Sequence, residues 1–208
     1  MKLCKYLLIL TLMISLCACG QKENDAGIYT KIYEKYKDIQ SYQCKMTMSV
    51  ASNKAVRDYK LQQYYKAPDK YRVEFIEPEE IKGMKLVYKD QSVTTVHPAI
   101  QGKFTLSDFA LIDEPSYMFL PDFFKNYYKS EETSVTVSKT ETGQNTVLSA
   151  EIPGDNSYRF SQSLWIDNET LLPKKLEVYD KENKPVIRIT YEEIEFDIDI
   201  NDEIFDID

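Results

Sequence analysis

Apolar and polar side chains alternate without interruption along one stretch of the chain, SYQCKMTMSV at residues 41–50. One face carries Tyr42, Cys44, Met46, Met48 and Val50, and the other carries Gln43, Lys45, Thr47 and Ser49. Because successive side chains of a strand point to opposite faces, this pattern predicts a half-buried β-strand. Such a strand must pair with others over a shared core, which constrains the fold of the whole chain.

Similar short segments follow along most of the chain, separated by turn signals such as Pro68-Asp69 and Asp90-Gln91. They predict strands at 56–66, 70–77, 85–90, 92–98, 133–139, 145–152, 158–166, 172–179 and 185–196, with a short edge strand in the tail NDEIFDID. Regularly spaced short strands of this kind favour an antiparallel sheet or barrel.

Two segments depart from the period of two. Residues 28–40 place Ile28, Ile32, Tyr36 and Ile39 at helical spacing, which predicts an amphipathic helix. Residues 117–128 are rich in aromatic side chains, and we interpret them as one or two short helices with Pro121 at a start or kink. Helices on one side of an antiparallel sheet give an α+β class. Core packing is the first interpretation of the aromatic segment, and contact with a ligand or partner is the alternative.

The N-terminus has the features of an export signal. Lys2 and Lys5 precede an apolar run that is too short for the ~20 residues that span a bilayer. The run ends at Leu16-Cys17-Ala18-Cys19, which resembles the bacterial lipobox. That resemblance implies a diacylglyceryl group on Cys19 and cleavage just before it. We therefore expect a signal peptide at 1–18, a lipidated tether at 19–27 and a single domain at 28–208, anchored on the extracytoplasmic face of the cell membrane.

The charge and the cysteine content of the chain argue against several classes of protein. The net charge is −8, and the loss of two lysines with the signal peptide would make it −10. An acidic chain is a poor candidate for binding nucleic acid. Of the four cysteines, only Cys44 would remain unmodified in the mature domain, which leaves no disulfide framework and no cysteine metal site. Its place on the apolar face predicts a buried, inert thiol.

Candidate catalytic residues are scarce. His97 is the only histidine, so it forms neither a triad nor a metal cluster, and we interpret it as a solvent-facing or hydrogen-bonded residue at a strand end. Many carboxylates leave a glycosidase-type pair open, but none is singled out, and those at 192–199 are interpreted as charge on an exposed edge. We expect no catalytic residue, metal or cofactor, and therefore no enzyme.

Several longer segments resemble a known family. YYKAPDKYRVEF, KGMKLVYKD, WIDNETLLPKKLEVYD and ITYEEIEFDIDINDEIFDI resemble LolA-like lipoproteins of spore-forming Firmicutes, and most of all their clostridial germination lipoproteins. The resemblance implies an incomplete antiparallel β-barrel wrapped around short helices, with an apolar concave face that holds acyl chains in carrier proteins. It also implies a protein partner, since the germination lipoproteins bind an N-acetylmuramoyl-L-alanine amidase that modifies spore cortex peptidoglycan.

Two hypotheses follow from different classes of protein. The first is a non-enzymatic lipoprotein that activates or positions a cell-wall amidase in sporulation and germination, with forespore membranes as a candidate location. The alternative is a carrier of lipids or lipoproteins with an acyl-chain ligand in the concave face. They differ in the content of that face, because a carrier needs an open cavity of several hundred Å³. A regulator can fill it with its own side chains, such as Phe119, Phe123 and Phe124. The sequence identifies no ligand-binding residues and leaves a homodimer open.

Overall fold

The computed structural model describes residues 20–107, 116–141, 143–154 and 156–207. The predicted signal peptide and Cys19 lie outside the described residues. Eleven strands form one antiparallel sheet, in the order β6-β5-β4-β3-β2-β1-β11-β10-β9-β8-β7. The strands are β1 (Ser41–Ala51), β2 (Val56–Lys66), β3 (Lys70–Glu77), β4 (Lys85–Lys89), β5 (Ser92–Val96), β6 (Lys103–Ser107), β7 (Thr133–Thr140), β8 (Gly143–Glu151), β9 (Ser161–Asp167), β10 (Pro173–Tyr179) and β11 (Pro185–Phe196).

The topology consists of two antiparallel meanders joined at the centre. Strands β1 to β6 follow one another in space, as do β7 to β11, and β1 pairs with β11 to join the two runs. Met46 of β1 lies opposite Leu61 of β2 and opposite Tyr191 of β11. The sheet is open, with β6 and β7 at its two ends. The predicted antiparallel sheet and α+β class are therefore confirmed.

The alternation in β1 corresponds to burial in the structure. Tyr42, Cys44, Met46 and Met48 are buried, whereas Lys45 is exposed and Thr47 is partly exposed. We call the side of the sheet that carries the buried residues the core face and the other side the outer face. The core face contributes most of the main hydrophobic cluster of the protein.

Two helices pack on the core face. Helix α1 spans Gly20–Tyr36 and α2 spans Leu120–Lys129, and buried residues of both belong to the main hydrophobic cluster. No helix in the described parts of the chain is both long enough and apolar enough to span a bilayer.

The bounds of α1 differ from the prediction. The helix begins at Gly20, eight residues before the predicted start at 28, so most of the predicted tether is helical. Glutamine, lysine, glutamate and alanine in this segment are good helix formers, although they show no apolar periodicity. The helix ends at Tyr36 rather than residue 40. Ile39 is buried in the connection to β1, because helical spacing of an apolar residue does not require helical backbone there.

Two further predictions about strands are corrected. The tail forms a 3-10 helix at Asp202–Phe205 instead of an edge strand, and the Asn201 side chain caps it by accepting a hydrogen bond from the backbone N–H of Glu203. Strand β6 was not predicted. It pairs with β5 through the register Thr94 to Thr105, but all five of its residues are exposed, so it carries no burial pattern.

Candidate functional site: the core face under helix α2

Helix α2 presents an apolar face to the sheet. Leu120, Phe123, Phe124 and Tyr127 are its buried residues, at the i, i+3, i+4, i+7 spacing of one helical face. Pro121 lies in the first turn, where its missing N–H costs no helical hydrogen bond, so the predicted role of Pro121 at a helix start is confirmed. The aromatic segment therefore packs in the core, which was the first interpretation of its sequence.

Aromatic rings on α2 and just before it are buried against the sheet and α1. Phe119 and Phe123 are 0% exposed and Phe124 is 2% exposed. Phe119 lies 4.4 Å from the Tyr71 ring of β3, and Phe124 stacks on Tyr36 of α1 with ring centroids 4.5 Å apart. The helix thus packs against both the sheet and α1 through close aromatic contacts.

Hydrogen bonds from buried tyrosines fix these elements relative to one another. The Tyr42 hydroxyl donates to Gln63 Oε1 at 2.5 Å, and Gln63 Nε2 donates to the Met118 carbonyl just before α2. The Tyr36 hydroxyl donates to the Leu171 carbonyl at 2.6 Å, which connects α1 to the β9–β10 turn. Burial raises the pKa of both tyrosines, so they remain neutral donors.

Asp122 is a titratable group at the edge of this face. Burial raises the pKa of Asp122 to about 6, although Lys125 and a hydrogen bond from the Tyr71 hydroxyl both favour the carboxylate. Oδ2 of Asp122 has no hydrogen-bond partner. Desolvation thus outweighs the nearby favourable groups, and the carboxyl titrates within the mildly acidic range.

Cys44 lies on the same face of β1, and the structure confirms that it is a buried free thiol. Burial raises the pKa of the thiol well above its ordinary value, which removes the thiolate needed for reactivity. The strand that carries Cys44 therefore contributes packing rather than redox chemistry.

Among the residues that the structure describes, the other titratable candidates do not come together as a catalytic group. His97 follows the end of β5, and its Nδ1 accepts a hydrogen bond from the Ala99 N–H at 3.1 Å. Within the described ranges, no group of three histidine, cysteine, aspartate or glutamate side chains is placed to hold a metal ion.

The carboxylates at 192–195 are not on an edge strand, which corrects their interpretation. They belong to β11, which lies at the centre of the sheet between β1 and β10. Instead of protecting an edge, they contact β1. Glu193 pairs with Lys45 at 2.5 Å, and Glu195 accepts from Gln43 Nε2 at 2.9 Å. Such contacts across two paired strands are the usual way in which a polar sheet face is stabilised.

A cavity of about 390 Å³ opens on the outer face, away from α2. Much of its lining is polar, and it includes Lys89, Asp90, Thr94, Lys103 and Asp206. This chemistry differs from the apolar cavity that a carrier of acyl chains requires.

A polar cluster on β9, β10 and β11 was not predicted from the sequence. Lys175 Nζ lies 3.9 Å from the centre of the Trp165 ring. Glu177 accepts hydrogen bonds from the Tyr179 hydroxyl and Arg188 Nε, each at 2.6 Å. Burial opposes ionisation of Glu177, but its bonds to Tyr179, Arg188 and Lys175 outweigh burial and lower its pKa. The sequence shows only charged residues at alternate positions, and this pattern is common to any strand with a solvent-exposed face.

The resemblance to LolA-like lipoproteins implied an incomplete antiparallel barrel wrapped around short helices, and the structure shows an open antiparallel sheet of eleven strands with two helices. The sequence also matches the family of YdcC-like sporulation proteins over residues 1–205. The chain therefore belongs to the YdcC-like sporulation protein family.

Comparison with individual proteins agrees with this assignment. The chain is 22% identical to sporulation protein YdcC of Bacillus subtilis over 97% of its own length, and it spans 59% of that relative. The structure of the CwlD amidase from Clostridioides difficile in complex with the GerS lipoprotein contains a similar chain. The match has 33% identity and a TM-score of 0.52, and it covers 82% of this chain and 94% of the other. The predicted relation to clostridial germination lipoproteins is thereby confirmed.

A more distant similarity concerns the fold alone. An uncharacterised conserved protein from Thermus thermophilus is 11% identical, with a TM-score of 0.56. The match covers 86% of this chain and 91% of the other.

Proposed function

We propose that this chain is a lipid-anchored, non-enzymatic protein that binds a cell-wall N-acetylmuramoyl-L-alanine amidase and activates or positions it during sporulation and germination. Two lines of support are the membership of a sporulation family and the 33% identity to a chain solved in a GerS–CwlD complex. Cys19 is the proposed lipid attachment site, and the extracytoplasmic face of the cell or forespore membrane is the proposed location.

The observation that carries the proposal is the packing under α2. A carrier must leave room for its cargo, yet Phe119, Phe123 and Phe124 are almost completely buried against the sheet and α1. Displacing them for an acyl chain would break close aromatic contacts and expose apolar surface. Because these rings already occupy the core face beside α2, recognition through an outer surface is favoured, and a protein partner fits this arrangement better than an acyl chain.

The chemistry of amide hydrolysis indicates which protein of the proposed complex would supply the catalytic metal. Amidases of this type commonly use zinc held by histidine and glutamate side chains, and this chain has only one histidine. The partner would supply the metal and the reaction, and binding would stabilise its active state.

The test combines binding and activity. The full-length lipoprotein in detergent is mixed with the cell-wall amidase of the same organism, and complex formation is measured by size-exclusion chromatography. Amidase activity on cortex peptidoglycan should rise as the lipoprotein is titrated, while the lipoprotein alone should release no product. Unchanged activity together with the absence of a complex would contradict the proposal. Stoichiometric lipid, other than the anchor itself, in mass spectra of the purified protein would support the carrier alternative instead.

A separate experiment tests the anchor. Cys19→Ala should abolish metabolic labelling with a fatty-acid analogue, because Cys17, the other cysteine of the motif, follows Leu16 rather than a small residue. Continued labelling of that variant would exclude Cys19 as the lipidated residue, without bearing on the amidase.

A further inference from the structure

Four tyrosines meet where α1 and α2 contact each other. Tyr29 and Tyr33 lie one turn apart on α1, and Tyr127 and Tyr128 lie in the last turns of α2. The Tyr33 and Tyr128 rings are 5.4 Å apart in an edge-to-face arrangement. We call these four residues the tyrosine patch. It continues the aromatic core outward to the protein surface.

The outer part of the tyrosine patch is solvent-exposed. Tyr33 is 41% exposed and Tyr128 is 38% exposed, whereas Tyr127 next to it is only 5% exposed. Tyrosine combines an apolar ring with a polar tip, which suits a boundary between an apolar and an aqueous phase. Core packing therefore does not explain why aromatic rings are present at Tyr33 and Tyr128.

Lysines adjoin these exposed rings. Lys37 Nζ lies 5.8 Å from the centre of the Tyr33 ring, and Lys125 is three residues before Tyr128 on the same helical face. Lys129 follows in the last turn of α2. Carboxylates lie among these lysines. Glu34 bonds to Lys37 and raises its pKa, as does Asp38, and the exposed Glu131 and Glu132 follow Lys129 directly after α2. This surface therefore carries charges of both signs.

The tyrosine patch includes residues of α1, the helix that follows the proposed anchor in the sequence. The helix begins at Gly20, directly after Cys19. Tyr33 is 14 residues beyond Cys19, or ~21 Å at the helical rise of 1.5 Å per residue. If α1 starts at the lipid headgroups and runs parallel to the membrane surface, Tyr33 lies at the same depth as the headgroups.

We propose that the tyrosine patch lies against the headgroup layer of the membrane that holds the anchor. Tyrosine is enriched at membrane–water interfaces, because its ring is apolar and its hydroxyl is polar. The inference rests on the proposed lipid anchor at Cys19. It goes beyond anchoring, because it fixes which side of the domain faces the bilayer and directs the outer face of the sheet away from it.

The experiment measures contact with lipid directly. Trp165 is the only tryptophan, so a Trp165→Phe background removes the intrinsic signal. Tyr33→Trp or Tyr128→Trp is then introduced into the full-length lipoprotein, which is reconstituted in phosphatidylglycerol vesicles with brominated or ordinary acyl chains. Both probes should lose emission in brominated vesicles. Tyr158→Trp is the matched control, since Tyr158 is 70% exposed outside the patch and should keep its emission.

The outcomes separate this inference from the anchor on which it rests. Mass spectrometry of the same sample reports the diacylglyceryl group, and a chain that lacks it refutes the anchor. A lipidated chain whose Tyr33→Trp and Tyr128→Trp probes are not quenched refutes the orientation alone. Protection of these probes by the amidase but not by lipid would assign the tyrosine patch to the protein partner and overturn the proposal.

Discussion

Truncation of Phe123 to alanine tests whether the core face is filled as tightly as the proposed function requires. Phe123 is 0% exposed, and its ring lies 5.3 Å from Phe124 and 6.1 Å from Tyr127 between centroids. Loss of a fully buried phenylalanine costs ~3–5 kcal/mol, because burial is lost and a cavity remains. The aromatic pairs favour the upper part of this range, since such contacts add ~0.5–1.5 kcal/mol beyond area alone.

The free energy of unfolding is measured by urea titration of the full-length protein in detergent. Emission of Trp165 is a convenient signal because it is the only tryptophan, and it lies on the outer face, away from the substitution. Lys129→Ala is the matched control on the same helix. Lys129 is exposed, so its loss should change stability by less than ~1 kcal/mol.

A small cost would refute the packing argument. If Phe123→Ala destabilises the protein by less than ~1 kcal/mol, the ring does not fill a close-packed site. A wild-type protein stabilised by added fatty acid would be a second contradiction, since a ligand stabilises only a fold that has room to bind it. Either result would favour the carrier alternative.

Three other predictions follow from the structure. Met46→Asn should lower the free energy of unfolding by ~2–5 kcal/mol, because it removes a buried apolar side chain and buries an amide. Thr47→Asn on the opposite face should change it by less than ~1 kcal/mol, and equal shifts in a thermal melt would contradict the face assignment. Cys44 should react slowly with iodoacetamide in the native protein and rapidly in urea; fast native labelling would mean that the thiol is accessible. Burial raises the pKa of Asp122 from 3.8 to about 6, so the folded state retains a proton that the unfolded state loses. Stability should therefore fall between pH 4 and pH 6 and then level off, and Asp122→Asn should remove that slope in urea titrations across this range.

Local pattern predicted the elements of the sheet better than their arrangement. The alternation along β1 reflects burial on one face, so it identified Cys44 and Met46 as core residues correctly. The pairing of β1 with β11 joins residues about 140 positions apart, such as Met46 and Tyr191. No local pattern specifies that pairing, because period-two alternation fixes the face of a strand but not its neighbour.

For the candidate site, the sequence likewise predicted the helix but not its contacts with other elements. The departure from period-two alternation and the position of Pro121 identified α2, and the number of aromatic rings indicated core packing or contact with a ligand or partner. The choice between these required the distances to Tyr36 and Tyr71, which lie on separate elements. The start of α1 was missed because its first residues favour a helix by propensity alone.

The C-terminal segment shows which groups the cations on the outer face bind. Ile198 and Ile200 alternate with acidic residues as in a strand, yet Ile200 and Phe205 cluster with Val87 on the outer face. Side chains from the sheet satisfy the backbone of this segment. Lys66, Arg72 and Lys103 donate to the carbonyls of residues 200, 204 and 207, at 2.8, 2.8 and 2.9 Å. Buried or partly buried carbonyls need such partners when no neighbouring strand supplies them.

These outer-face cations therefore hold the C-terminus, and their charge needs no external ligand to explain it. Lys125 and Lys129 lie on α2, on the opposite side of the sheet, and the exposed Glu131 and Glu132 follow directly after that helix. Cations and carboxylates thus occur together on this side as well. The position of each cation relative to its neighbours, rather than the net charge of the chain, therefore indicates which group it interacts with.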